Sequence, residues 1–80
     1  MKLPRNVSGA DLVKGLTKVG YSVTRQKGSH IRMTTKQSGE HHVTVPNHPS
    51  VRVGTLAGIL SDVGDHLGME RDKLIDAMFG

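Results

Sequence analysis

The 80 residues carry 11 Lys and Arg against 7 Asp and Glu and contain no cysteine; one small domain over residues 1–80 is expected, and a multidomain enzyme, a disulfide scaffold and a thiolate zinc site are excluded. Hydrophobic residues make up 35%, Tyr21 and Phe79 are the only Phe, Tyr or Trp, and no apolar signal region or membrane-length run occurs, so we expect a thin aliphatic core in a reducing cytoplasm. Through Lys36 eight basic residues meet Asp11 alone, whereas from Gln37 onward three basic residues meet six acids; the first half suits a polyanion, although a merely solvated surface would carry similar charge.

Leu12, Leu16 and Val19, widened by Ala10 and Val13, recur at helical spacing and predict an amphipathic helix over Ser8–Val19. Ser8 is its expected N-cap, Asp11 the partner in a shortened capping box, and Gly20 the left-handed stop. Tyr21–Gln26 alternates and is β-branched, Lys27-Gly28-Ser29 reads as a turn, and His30–Thr35 as the second strand of a hairpin. Lys36–Glu40 is a second turn leading into His41–Val45, which Pro46 ends because it has no ladder donor. Alternation places Tyr21, Val23, Ile31, Met33, Val43 and Val45 on an apolar face, with Ser22, Thr24, Gln26, His30, Arg32, Thr34, His42 and Thr44 opposite.

Pro46–Ser50, with two prolines, reads as a connecting loop. Leu56, Ile59, Leu60 and Val63 form the stripe of a second helix with Thr55 as cap, interrupted by Gly64–Gly68. A last helix is predicted from about Met69 to Phe79, its first turn holding Glu70 and Asp72 as the macrodipole favours. Helix, three-stranded antiparallel meander, helix and a short terminal helix define an α+β fold in which helices cover the apolar sheet face and the polar face stays open.

That open face carries the chemistry. An imidazole titrates near ~6.5 in its free state, so His30 can accept a proton from a ribose 2′-hydroxyl and return one later. Arg32, on the same face, offers a planar fork to a phosphate, and Lys27 with the Gly28 and Ser29 amides adds donors at the turn. A plain surface histidine is the blander alternative. His41 and His42 do not form a metal site, since neighbouring strand residues point to opposite faces and no further ligand is supplied. His42 stays open as a second proton carrier or phosphate contact, His48 is expected to fix its loop, and no acid orients a histidine beside Ser29 as a hydrolase triad requires.

Val7-Ser8-Gly9-Ala10-Asp11-Leu12-Val13-Lys14-Gly15-Leu16, Val19-Gly20-Tyr21, Arg25-Gln26-Lys27-Gly28-Ser29-His30, Val43-Thr44-Val45-Pro46-Asn47-His48, and Gly54-Thr55-Leu56 with Ile59-Leu60 together resemble the HicA (YcfA-like) toxins of HicAB toxin-antitoxin systems over roughly Val7 to Val63. The resemblance implies a fold similar to the double-stranded RNA-binding domain and a metal-independent, ribosome-independent ribonuclease acting on messenger RNA without a cofactor. It places His30 on the family's catalytic histidine. Many relatives have a second histidine directly after it, where this chain has Ile31. The resemblance also implies a HicB-type antitoxin as partner, packing over the active histidine.

Two other functions compete. A non-catalytic double-stranded RNA binder would recognise helix shape and 2′-hydroxyls, but the stretch Thr55–Val63 lacks the Lys or Arg cluster such modules bring to their last main helix. A pure protein-interaction module would bind an antitoxin and not RNA.

Overall fold

The computed structural model describes residues 3–80. Helix α1 (Gly9–Lys18) precedes strands β1 (Ser22–Lys27), β2 (His30–Thr35) and β3 (His41–Pro46), followed by α2 (Val53–Leu67) and α3 (Arg71–Phe79). The strands form one antiparallel sheet in the order β1-β2-β3, so the α+β layout matches the expectation, with α3 as the added terminal helix.

Local chemistry sets the ends of α1. The Asp11 N–H donates to Ser8 Oγ at 3.0 Å while the Ser8 N–H donates to Asp11 Oδ2 at 3.1 Å, a reciprocal capping box. Val19 closes the helix and Gly20 follows at φ +103, a left-handed conformation open to glycine at little cost. The buried stripe of α1, Leu12 and Leu16, joins Tyr21, Ile31, Met33, Val43 and Val45 from the sheet side, Leu56, Leu60 and Val63 from α2, and Leu74 and Met78 from α3 in a single cluster. Among the described residues, no helix is long and apolar enough to cross a membrane.

Several details differ from the sequence expectations. Val23, expected on the apolar face, is 49% exposed, and every residue of β1, one of the two edge strands, is exposed. A bulge between Val23 and Arg25 then shifts the register: Val23 pairs with Met33, but Arg25 pairs with Arg32, Gln26 with Ile31 and Lys27 with His30. The extra residue is Thr24, whose hydroxyl donates to the Arg32 carbonyl at 3.3 Å. A bulge of this kind flips the alternation beyond it, so Arg25 and Lys27 share the open face and Gln26, expected there, does not. Lys27 is accordingly the last residue of β1 and only Gly28-Ser29 form the turn. Gly28 stands at φ +57, the first central position that a II′-type hairpin reserves for glycine.

The remaining corrections concern the second half. Helix α2 begins at Val53 with Arg52 in the cap position, not at a Thr55 cap. It also runs unbroken through Gly64 to its left-handed stop at Gly68, φ +67. Gly64 is kept small by tertiary packing, since a Cβ there would lie 2.9 Å from the Met69 carbonyl oxygen. Helix α3 starts at Arg71, two residues later than expected.

Candidate active site

The open face has three cross-strand rows. Lys27, His30 and Pro46 lie side by side at the hairpin end, Arg25, Arg32 and Thr44 form the next row, and Ser22, Thr34 and His42 the third. His30 is exposed, and among the described residues its ring has no hydrogen-bond partner.

Beyond Pro46 the chain is held by its backbone rather than by its side chains. The Asn47 N–H donates to the Ser29 carbonyl at 2.7 Å, the His48 N–H to Pro46 O at 2.9 Å, the Gly9 N–H to His48 O at 2.9 Å and the Val51 N–H to Val7 O at 2.7 Å. The loop lies so close to α1 that a Cβ on Gly9 would collide with the Pro46 carbonyl and stand 2.8 Å from Asn47 Cα. His48 thus fixes the loop through its peptide group, as expected of the residue, while its ring is exposed and, among the described residues, has no hydrogen bond of its own.

This loop folds a concavity of about 390 Å³ against the hairpin, lined by His30, Thr44, Pro46, His48, Arg52 and Thr55. Arg52 makes no side-chain cap bond and the first turn of α2 contains no acid, so the leading amides of that helix keep free N–H groups and the positive end of its dipole. Two imidazoles, a guanidinium and free amides around one hollow suit an anionic phosphodiester. Arg52 and Thr55 stand at the start of the last main helix, where the sequence showed no cluster of Lys or Arg.

Arg32 lies in the adjoining groove, of about 480 Å³, with Thr24, Arg25, Thr34, Lys36, Glu40 and His42. It neighbours His30 along β2 by two residues, ~7 Å of strand, and its guanidinium joins those of Arg25 and the amine of Lys36 in a cationic track. Sequence reasoning missed Arg25, Lys36, His48 and Arg52. Arg25 is hidden by the bulge, and His48 and Arg52 by a loop whose path depends on Gly9 and Val7. His42 is tied down: Nδ1 bonds Thr34 Oγ1 at 2.7 Å and Nε2 the Glu40 carboxylate at 3.2 Å. It also sits at the far end of the sheet, ~13 Å along the strand from His30.

His41 points the other way. Its Nδ1 meets the Tyr21 hydroxyl at 2.7 Å, its Nε2 the Asp62 carboxylate at 3.1 Å, and its ring stacks on His66 at 4.4 Å between centroids. Burial first, and Asp62 second, push the Tyr21 hydroxyl above its ordinary value of 10.0, so it stays neutral as a hydrogen-bonding group. His41 and His42 therefore face opposite sides of the sheet, as strand geometry requires. Among the described residues no group of three or more His, Asp or Glu is arranged to hold a metal ion.

A family model described as the HicA toxin of bacterial toxin-antitoxin matches residues 9–65, which include α1, the whole sheet, the 46–52 loop and most of α2. No curated protein and no solved structure matches the chain.

Proposed function

Since the chain belongs to the HicA toxin family and is thereby the toxin of a toxin-antitoxin pair, we propose that it is a metal-independent endoribonuclease that cuts messenger RNA with His30 as general base. The observation that carries this reading is the exposed, partner-free imidazole of His30 at the edge of a hollow shared with Arg52 and the uncapped start of α2. A neutral His30 takes the 2′-hydroxyl proton, the 2′-oxygen attacks the adjacent phosphorus, and the bond to the 5′-oxygen breaks. The products are a 2′,3′-cyclic phosphate and a 5′-hydroxyl.

Charge developing on the phosphoryl oxygens is offset by Arg52 and the free amides. Lys27, the Gly28-Ser29 turn and Arg32, extended by Arg25 and Lys36, hold the flanking phosphates, each contact adding salt-dependent affinity. The partner is a HicB-type antitoxin whose acidic surface covers this basic face and blocks the hollow.

Incubating 3′-labelled messenger RNA with the purified chain in EDTA, followed by end-group analysis, tests the proposal. Fragments with cyclic phosphate and 5′-hydroxyl ends are expected. RNA that stays intact while bound, with binding that falls steeply as salt rises, would instead favour the non-catalytic double-stranded RNA binder.

A further inference from the structure

A transesterification of this kind needs two proton transfers, and His30 supplies one. The alkoxide leaving from the 5′ side is a poor leaving group unless it is protonated as the bond breaks. In an in-line displacement the attacking and leaving oxygens lie on opposite sides of phosphorus. The acid must therefore face the base across a gap that holds a phosphate, and need not touch it.

Three side chains compete for the role. His42 has both ring nitrogens engaged, by Thr34 and Glu40, and stands at the other end of β2. Lys27 pairs with His30 across the hairpin, beside the base. His48 lines the same hollow as His30 from the loop after β3. Its ring is exposed and unbonded, while its backbone is fixed on both sides, the N–H to Pro46 O and the carbonyl to the Gly9 N–H. A rigid backbone carrying a free imidazole is the arrangement that positions a proton without consuming it.

Resting on the ribonuclease reading, we infer that His48 is the general acid of the same cut. The 2′-oxygen forms its bond to phosphorus as its proton passes to His30. The electron pair of the breaking P–O bond goes to the 5′-oxygen, which takes the proton of a charged His48. The chain is left with His30 charged and His48 neutral, and exchange with water restores both. Arg52, in the cap position of α2, is the other charged group lining this hollow, and Lys27 stands beside His30 across the hairpin.

The test replaces the 5′-oxygen of the linkage at the strongest mapped cut by sulfur. A thiol ionises near ~8.5, far below an alcohol, and so departs without an acid. On ordinary RNA, His48→Ala and His48→Gln are each expected to lose about 10²- to 10⁴-fold in cleavage rate, and to lose the high-pH limb of the pH–rate profile. On the 5′-thio substrate both are expected to cut within about tenfold of the unaltered chain, whereas His30→Ala stays slow on both.

His48 variants equal to the unaltered chain on ordinary RNA, or equally slow on both substrates with unchanged melting temperature, would overturn the assignment of His48 and leave His30 as base untouched. An unaltered chain that cuts neither substrate would remove the ribonuclease reading and this inference with it.

Discussion

The two ends of the sheet treat their histidines in opposite ways. Beneath α2, His41 is clamped between the Tyr21 hydroxyl and Asp62 and stacked on His66, whose Nε2 in turn bonds the Gln37 and Gly39 carbonyls at 2.9 and 3.0 Å. At the hairpin end, His30 and His48 are held only through their backbones, and their rings face open solvent. The first cluster joins the 37–41 turn to α2 and the buried tyrosine. The second leaves two unbonded imidazoles, among the described residues, beside the hollow to which we assign the RNA phosphate. Imidazole serves as mortar where both nitrogens are committed, and the proposed mechanism uses it as a proton carrier where neither is.

The largest effect that can break this contrast is at His30. Replacing it by alanine is expected to lower RNA cleavage by about 10²- to 10⁴-fold with the circular dichroism and melting temperature unchanged, since no hydrogen bond is lost. The reverse pattern is expected at His41. His41→Ala leaves the buried Tyr21 hydroxyl without its partner, so urea unfolding should show a loss of about 1–3 kcal/mol, while cleavage per folded molecule stays the same.

A smaller effect falls on α1, which holds the 46–52 loop in place. Ser8→Ala removes the capping hydroxyl and should cost about 1 kcal/mol, measured by thermal melting. The same box gives a pH signature. The Ser8 backbone N–H first, the Ser8 side chain second, and Lys14 more weakly, hold the Asp11 carboxyl below its ordinary value of 3.8. A depressed native value means this contribution is present above pH 3.8 and fades as pH falls through the native value. Asp11→Asn should therefore flatten the acid side of the stability profile and leave the neutral range changed only by the lost bond. The smallest effect is on the cationic track: Arg25→Ala should reduce the slope of log affinity for single-stranded RNA against log salt by about 0.7 per phosphate contact removed, with cleavage chemistry retained at saturation.

The fold was legible where the sequence is locally consistent. Ser8, Asp11 and Gly20 marked both ends of α1, and Pro46 closed β3 on schedule. The misreadings at Thr24 and Gly64 trace to tertiary decisions. Thr24-Arg25 looks like ordinary alternation, and only pairing with β2 makes Thr24 the extra residue that turns Arg25 outward. Gly64 carries the composition of a break, yet its missing Cβ is used by the Met69 carbonyl. His30 was visible as a candidate from its place at a Gly-Ser turn on a polar strand. His48 and Arg52 were not, because nothing in Pro46–Arg52 alone reveals that Gly9 and Val7 draw this loop over the hairpin end.

The most direct test of the contrast compares cleavage rates of the unaltered chain, His30→Ala and His41→Ala on one RNA in EDTA, each corrected for its folded fraction from circular dichroism. The account predicts that cleavage is lost in His30→Ala alone, and that His41→Ala differs only in its unfolding curve. Undiminished cleavage by folded His30→Ala, or its loss in folded His41→Ala, would contradict it.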